Sequence, residues 1–438
     1  MKRNAELQQL SRAILIGFAA IALALVFWSV ARGDILSRED NPRLVEAELR
    51  IQRGQIVDRN GVILAESVNA ETIGPPARQQ RLYPRPEAVA AVGYYSLRHG
   101  TAGIEESYDT LLRGDLTDFW AEFARQALHE AQVGQSVWLT LDAELQETAV
   151  ALLNNHSGAL LLLDLSQPGT ADILALASTP TYDPNQLDET FDELLADESA
   201  PLLNRITQGQ YQPGLVLQPI ILAAALDQGL INLDETVTNA NRNIPINGVG
   251  IRCASPPPQP TTWADVLSHR CPGPMQELAD HLGVTGLDKI FTDFGLTTEP
   301  QFELETTAPE SEPIANPLMA GIGQENLTVT PLQIGLAWAS LFSNGRIPTP
   351  RLITTPTQPT SQPANQLTSQ STNIIRQTLP QHDGITEFSR LVLSGPQGST
   401  NGWYLGQIND YAVVVVIEES STLSEAGNIG RDMLAATN

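Results

Sequence analysis

Lysine is almost absent from this chain of 438 residues, which contains only Lys2 and Lys289. Lys2 lies in a short charged tail ahead of an apolar run, so the rest of the chain contains a single lysine, Lys289. Any mechanism that needs two lysines outside that tail is therefore excluded. Lys289 falls within a predicted helix, where a solvated surface lysine is the ordinary interpretation.

Basic residues of both types, lysine and arginine, are few compared with acidic residues. Lysine and arginine together number 25 against 50 aspartates and glutamates, so the formal net charge is −25. Such a charge repels phosphate, which argues against nucleic acid or an anionic membrane surface as a partner. The hydrophobic content of 42% is ordinary for a globular protein with a core, and the length suits a large domain and a smaller one.

Cysteine and histidine are also sparse. The two cysteines, Cys253 and Cys271, flank a Pro-rich segment, and their even number suggests a disulfide formed in an oxidising compartment. Two unpaired buried thiols are the alternative. The six histidines are scattered singly, without metal-ligand spacing, so no metal or other cofactor is expected.

Residues 13–31 form a run of 19 residues without charge. At about 1.5 Å rise per residue, a helix of this length spans a hydrocarbon core of about 30 Å. We expect residues 1–12 to be a cytoplasmic tail and 13–31 a single transmembrane anchor in the cell membrane, with the bulk of the chain extracytoplasmic. A cleaved signal peptide is the alternative, because Ser29-Val30-Ala31 is a small-x-small site. Both interpretations export the bulk of the chain.

The exported part divides into two predicted modules. Residues 36–135 indicate a small, mostly β module, because β-prone runs flank Asn60-Gly61, a strong hairpin signal. Residues 136–438 mix helices with antiparallel-looking strands, which favours an α+β domain. Within that domain, residues 354–372 are rich in Thr, Gln, Pro and Ser and have almost no large apolar side chains, which predicts a flexible insertion.

Four stretches of sequence, taken in order and with their spacing, carry a family resemblance. They are Arg53–Gly61 with Leu64-Ala65; Gly93–Ser96 with Ala102–Glu105 and Leu112–Gly114; Leu139–Asp142 with Leu145-Gln146, Gly158-Ala159, Ile173–Ser178 and Tyr182–Asn185; and Gly321–Gln324 with Thr330–Gln333 and Asn344-Gly345. Together they resemble the class B penicillin-binding proteins, the peptidoglycan D,D-transpeptidases, in their short form.

This resemblance implies a fold and a module order. Residues 136–438 are expected to adopt the α+β transpeptidase fold shared by penicillin-binding proteins and serine β-lactamases. Residues 36–135 are expected to correspond to the dimerisation or pedestal-like module of the family. The large insertions that longer members carry in that module are missing from this chain.

The resemblance also implies a serine nucleophile followed three residues later by a lysine base, directly after Tyr211–Gly214. At these two positions this chain has Leu215 and Gln218. Leucine has no nucleophilic atom, and the glutamine amide is not a base at any working pH. The first motif of the expected catalytic site is therefore absent.

Two further family motifs are degenerate. The Ser-x-Asn pattern is expected near residues 269–272, where the chain has Arg270-Cys271-Pro272. The Lys-Thr-Gly strand that binds the substrate carboxylate is expected after Leu393-Ser394-Gly395, where it has Pro396-Gln397-Gly398. A proline there also removes a backbone donor. No catalytic motif of the family is intact.

Other side chains could replace the missing groups. Cys271 could act as a nucleophile if His269 and Arg270 lowered the pKa of its thiol, but a disulfide to Cys253 is the simpler account. Ser399 and Thr400 follow the degenerate strand motif and resemble ordinary polar groups at a strand end.

These substitutions indicate a non-catalytic function. We expect a pseudoenzyme that acts as a scaffold or regulator in peptidoglycan synthesis, beside a polytopic peptidoglycan glycosyltransferase or an active penicillin-binding protein in the membrane, with peptidoglycan itself as a further partner. Two alternatives stay open: a D,D-transpeptidase with an unorthodox nucleophile, and a protein whose altered cleft holds wall peptide without cleaving it.

Overall fold

The structure is a computed structural model that describes residues 2–31, 45–46, 48–69, 79–115, 120, 125, 128, 131–307, 312–354, 366–394 and 398–437. Its helices are Lys2–Ala31, Val89–Val92, Ile104–Ser107, Asp109–Arg113, Ala143–Leu153, Leu187–Ala196, Gln218–Asp227, Trp263–Ser268, Pro272–Asp293, Pro317–Ala320, Pro331–Ser340, Ser369–Thr378 and Leu423–Ala435. Single 3₁₀ turns lie at Pro86–Ala88, Pro184–Gln186 and Gly214–Leu217.

The strands, in chain order, are β1 (Ile56–Val57), β2 (Ile63–Asn69), β3 (Gln79–Leu82), β4 (Tyr94–Ser96), β5 (Gly100–Ala102), β6 (Val137–Trp138), β7 (Gly158–Asp164), β8 (Thr170–Thr179), β9 (Thr236–Val237), β10 (Ile244–Ile246), β11 (Val249–Ile251), β12 (Thr261–Thr262), β13 (Thr349–Arg351), β14 (Gln381–His382), β15 (Ile385–Ser394), β16 (Ser399–Ile408) and β17 (Tyr411–Ile417).

The larger domain is built on a seven-stranded sheet with the order β13-β8-β7-β17-β16-β15-β14. Neighbouring strands are antiparallel except β13 and β8, which are parallel. The central strands β7 and β17 are almost continuous apolar runs, and all of β7 is buried. Such runs are typical of strands that are covered on both faces.

Alternate residues of the central strands face two separate apolar layers. Leu161 packs in the layer that contains the helices Gln218–Asp227 and Pro331–Ser340. Leu160 packs in the opposite layer, which contains the C-terminal helix Leu423–Ala435. The sheet therefore lies between two layers of helices, and the predicted α+β fold is confirmed.

The N-terminal module contains the sheet β3-β2-β1-β6. Strands β1 and β2 are antiparallel, and Gly61 in the turn between them has a φ of +87°. One carboxylate oxygen of Asp58 accepts hydrogen bonds from the backbone N–H of Asn60 (2.8 Å) and Val62 (2.7 Å), and the other accepts from the N–H of Ala143 (3.0 Å). The predicted hairpin is present, and Asp58 connects its turn to the first helix of the larger domain.

The predicted domain boundary at residue 136 and the predicted insertion 354–372 stay predictions. Strand β6, which directly follows that boundary, pairs in parallel with β1 of the N-terminal module. Of the predicted insertion 354–372, residues 355–365 lie outside the described residues. Its end is ordered, because Leu367 is buried and the hydroxyl of Thr368 caps the helix Ser369–Thr378.

The predicted membrane anchor, residues 13–31, lies within the helix Lys2–Ala31. In the part of the chain that the structure describes, no helix reaches the combination of length and apolarity needed to cross a bilayer. The predicted single-pass topology is therefore not confirmed.

Glu105 is the charged centre of the N-terminal module. It is fully buried and pairs with Arg53 (Nη2, 2.8 Å) and with Arg81 (Nε, 2.5 Å). Glu105→Gln keeps the shape but leaves two buried arginines against a neutral group, so we expect the free energy of unfolding to fall by about 3–5 kcal/mol. Chemical denaturation of the purified protein measures this change.

The control substitution is Asp293→Asn, which breaks an ion pair on the surface. Its partner Lys289 is 67% exposed at the side chain, so we expect a change of about 0–1 kcal/mol. Equal losses in the two variants would show that the buried network does not carry the stability assigned to it.

Candidate functional site

The position expected for a nucleophile lies in the 3₁₀ turn Gly214–Leu217, which leads into the helix Gln218–Asp227. Leu215 is buried there, at 4% exposure. Two glycine backbones approach each other closely at this turn. The N–H of Gly214 donates a hydrogen bond to the carbonyl of Gly323 (2.9 Å). Only glycine fits at position 323, because a Cβ there would lie 2.2 Å from the carbonyl oxygen of Gly214. The backbone at this position is thus tightly defined, but its side chain is an alkyl group.

Gln218 lies at the first position of the same helix and is fully buried. Its Nε2 donates to the carbonyls of Val266 (3.1 Å) and Cys271 (3.3 Å), while its Oε1 has no hydrogen-bond partner among the residues that the structure describes. The lone pair of an amide nitrogen is delocalised into the carbonyl group, so the nitrogen donates hydrogen bonds but does not accept a proton. Gln218 therefore connects the helix to the neighbouring turn rather than acting as a base.

The second degenerate motif lies in the turn between the helices Trp263–Ser268 and Pro272–Asp293. Arg270 has a φ of +54°, and Pro272 is the first residue of the second helix. Cys253 and Cys271 form a disulfide with an S–S distance of 2.10 Å, so the predicted bridge is confirmed. Because both sulfurs are used, Cys271 has no thiolate to offer as a nucleophile.

The third motif is only partly described. Pro396 and Gln397 lie outside the described residues, while Gly398 has a φ of +76° just before β16. The Oγ of Ser399 donates to the carbonyl of Ser394, and the Oγ1 of Thr400 donates to the carbonyl of Ser420 (2.5 Å). Both hydroxyls are therefore occupied by backbone acceptors, and neither is paired with a base.

A short hairpin and the end of β15 close the space above Leu215. The hairpin of β10 and β11 contributes Ile251, and β15 contributes Arg390 and Leu393. The remaining cavity measures about 10 Å³. Pockets that bind drug-sized ligands measure roughly 300–1,000 Å³, and about 10–15 Å³ is needed for one water. The space above Leu215 is thus at the lower limit for a single water, and it is lined mostly by apolar side chains, with Arg390 and Gln324 among them.

The disulfide holds this hairpin in place. Cys253 follows the hairpin by two residues, and its partner Cys271 belongs to the turn that Gln218 contacts. The N–H of Ala254 also donates to the carbonyl of His269 (2.9 Å). The cover over Leu215 is therefore connected to the same turn that carries the second degenerate motif.

Two arginines dominate the electrostatics of the closed cleft. Burial, followed by the neighbouring charge of Arg270, lowers the pKa of Arg390 to about 10. Burial also lowers the pKa of Arg270, which the carboxylate of Glu387 partly offsets. The guanidinium of Arg270 lies over the ring of Phe388, 5.4 Å from its centroid. Arg390 was not anticipated from the sequence, although it lies on the same buried face of β15 as Phe388 and Val392.

The remaining candidates are peripheral. Lys289 is exposed and pairs with Asp293, as expected of a surface lysine. His269 contacts the hydroxyl of Ser255 (2.9 Å). Among the described residues, no group of three His, Cys, Asp or Glu side chains could hold a metal ion. The structure thus brings Leu215, Gln218 and the Cys271 turn together, without a nucleophile and base among them.

The chain is similar to known proteins along most of its length. Residues 163–386 match the penicillin binding protein transpeptidase domain, and residues 53–137 match the penicillin binding protein A dimerisation domain. The peptidoglycan D,D-transpeptidase PbpA of Mycolicibacterium smegmatis is 29% identical over 377 residues, which cover 80% of this chain and 75% of that protein.

A more distant relative and a solved structure extend this comparison. The peptidoglycan D,D-transpeptidase MrdA of Escherichia coli is 28% identical over 292 residues, which are 59% of this chain and 45% of that protein. The imipenem acyl-enzyme complex of penicillin-binding protein A from M. tuberculosis is 25% identical with a TM-score of 0.78, covering 89% of this chain and 99% of that one.

Proposed function

The chain belongs to the penicillin-binding protein transpeptidase family, and we propose that it is a non-catalytic member acting as a scaffold or regulator in peptidoglycan synthesis. The observation that carries the proposal is the buried leucine, Leu215, at the position where the family resemblance puts the nucleophilic serine. Covalent acyl transfer requires an atom with a lone pair at that position and a base within hydrogen-bond reach.

The surroundings of Leu215 support the same proposal. Gln218, at the position of the base, donates both amide hydrogens to carbonyls and has no basic atom. The cavity above Leu215 measures about 10 Å³, too small for a peptide or a β-lactam. The side chain of Gln218 and the small cavity therefore both support the proposal that acyl transfer does not occur at this position.

The second candidate function is D,D-transpeptidation by an unorthodox nucleophile. It is favoured by the names of the relatives, PbpA and MrdA, which are peptidoglycan D,D-transpeptidases. Against it stand the disulfide at Cys271 and the hydroxyls of Ser399 and Thr400, which bind backbone carbonyls. Against a third function, binding of wall peptide without cleavage, stands the small cavity of about 10 Å³ above Leu215.

The proposed partner is a membrane protein of wall synthesis, either a polytopic peptidoglycan glycosyltransferase or an active penicillin-binding protein. The sequence supports membrane attachment through the uncharged run 13–31. The N-terminal module offers a contact surface at Trp138, which is 47% exposed. Its ring lies next to the hairpin turn, 3.9 Å from the place that a Cβ on Gly61 would occupy. Exposed tryptophan is a common anchor at protein interfaces.

Labelling with a fluorescent penicillin tests the loss of catalysis. The purified full-length chain should give no covalent band, and Leu215→Ser alone should not restore one, because Gln218 cannot take the proton and the cavity does not admit the drug. Penicillin-binding protein A of M. tuberculosis, known as a penicillin G acyl-enzyme complex, is the positive control. Stoichiometric labelling of the unaltered chain would support the transpeptidase function, and peptide mapping would identify its nucleophile.

Fractionation tests the membrane attachment. If residues 13–31 are an uncleaved anchor, the mature protein keeps its N-terminus and stays with membranes through a high-salt wash, because apolar attachment is not screened by salt. N-terminal sequencing and immunoblotting of the washed fractions measure this. A mature N-terminus at Arg32 and release into the soluble fraction would indicate a cleaved signal peptide.

Photo-crosslinking tests the scaffold proposal. A photoreactive amino acid at position 138 should capture a membrane protein of wall synthesis in living cells, identified by mass spectrometry. The same group at Leu195, 68% exposed on the larger domain, is the matched control and should not capture it. An absence of adducts at position 138, or equal capture at both positions, would count against a partner surface on the N-terminal module.

A further inference from the structure

A second cavity lies where the N-terminal module meets the larger domain. It measures about 150 Å³ and shares no lining residue with the cavity above Leu215. The N-terminal module lines it with residues from 89 to 106, and the larger domain with residues from 178 to 305. A hydrogen bond crosses the junction, from the Nδ2 of Asn204 to the carbonyl of Ala90 (2.9 Å). A molecule in this cavity would therefore contact both modules.

The charged side chains in the wall of this cavity are those of Glu106 and Glu305, and none of the described residues that line it is a lysine, arginine or histidine. One carboxylate oxygen of Glu305 accepts a hydrogen bond from the Nε2 of Gln208 (3.0 Å). Neither carboxylate has an ion-pair partner in the part of the chain that the structure describes. The wall thus contains negative charge that no described cation balances, which favours a cationic ligand.

Two tyrosine rings form another part of the wall. Tyr94 and Tyr182 meet edge to face, with 6.4 Å between their ring centroids. Burial raises the pKa of both phenols, and the charge of Glu106 adds to the rise at Tyr94. Neither hydroxyl makes a hydrogen bond to a residue that the structure describes. Aromatic rings attract organic cations, and phenol oxygens accept hydrogen bonds from N–H groups.

Thr207 is a buried polar residue in the same wall. It is fully buried, and its Oγ1 has no hydrogen-bond partner among the described residues. A buried hydroxyl without a partner is unfavourable, and such groups in proteins are usually satisfied by a protein group or by an ordered molecule. An N–H donor at the inner wall of the cavity would provide this partner.

The size of the cavity and its set of acceptors limit the ligand. At about 150 Å³, it matches an engineered cavity in another protein that binds benzene, so it suits a molecule of about six non-hydrogen atoms. Among the described residues, no group of three His, Cys, Asp or Glu side chains could hold a metal ion. Two carboxylates with hydroxyls and aromatic rings therefore favour a small organic cation over a metal.

We propose that this cavity binds a primary alkylammonium group, whose charge is balanced by Glu106 and Glu305 and whose N–H groups are accepted in part by Thr207. The rings of Tyr94 and Tyr182 contact its alkyl chain. A free alkylamine and the end of a lysine-type side chain in a peptide share this chemistry. Because both modules line the cavity, the bound group holds them together. The proposal does not depend on the scaffold function.

A ligand-observed NMR titration of the full-length chain, at neutral pH and constant ionic strength, tests the proposal with n-pentylamine as the probe. Binding should saturate at one site. 1-Pentanol, which has a similar shape without the charge, should bind about tenfold more weakly. Nα-acetyl-lysine amide distinguishes the two sources. Binding as tight as that of n-pentylamine supports a peptide side chain, and binding of n-pentylamine alone supports a free amine.

Three variants locate the site. Glu106→Gln combined with Glu305→Gln should weaken the binding of n-pentylamine by about tenfold, because it removes both balancing charges. Thr207→Val should also weaken binding but should not lower the melting temperature, because the hydroxyl that it removes has no partner. Glu277→Gln is the matched control at an exposed carboxylate on the helix Pro272–Asp293, and it should leave binding unchanged.

Two outcomes would overturn the proposal. Equal binding of n-pentylamine and 1-pentanol would show apolar partitioning without recognition of the charge. Unchanged binding in the variant that lacks both Glu106 and Glu305, or an equal loss in Glu277→Gln, would show that the amine responds to the overall negative charge of the protein and not to this cavity.

Discussion

An open cleft would expose the side chain of Leu215 to water, and this constraint shapes the surrounding structure. Fully burying a leucine is worth about 1.5–3 kcal/mol, so a leucine at the mouth of a cleft favours closure. Ile251 and Leu393 help to close the cavity next to it. The disulfide between Cys253 and Cys271 keeps the covering hairpin in place. A polar nucleophile would favour the opposite arrangement, because it must reach its substrate.

Closure of the cleft has an electrostatic consequence. The protein as a whole carries a formal charge of −25, yet Arg390 lines the cleft and lies close enough to Arg270 for the charge of Arg270 to lower its pKa. Apolar walls remove the water that would otherwise solvate these guanidinium groups, so their charges act strongly over short distances. Burial at the cleft therefore lowers the pKa of both Arg270 and Arg390.

Local sequence patterns predicted the features that depend on neighbouring residues. Asn60-Gly61 indicated the hairpin of β1 and β2, since glycine readily adopts the left-handed conformation that Gly61 has in this turn. The α+β class and the disulfide between Cys253 and Cys271 were also predicted correctly.

Features that depend on pairing of distant segments were not predicted. The alternation along β15 did not reveal that Arg390 faces the cleft, because a period of two does not identify the buried face. The cover formed by β10 and β11 over Leu215, and the pairing of β6 with β1, arise from contacts between segments far apart in sequence. For the same reason, the helix Ser369–Thr378 was missed, since buried Ile375 packs against distant parts of the core.

Intact-protein mass spectrometry after long incubation with penicillin G tests the central claim most directly. The claim is that the chain forms no acyl-enzyme, because the nucleophile position is a buried leucine. The expected result is an unchanged mass of the chain, while penicillin-binding protein A of M. tuberculosis, known as a penicillin G acyl-enzyme complex, gains the mass of one penicillin G. A stoichiometric acyl adduct on this chain, at any residue, would contradict the claim.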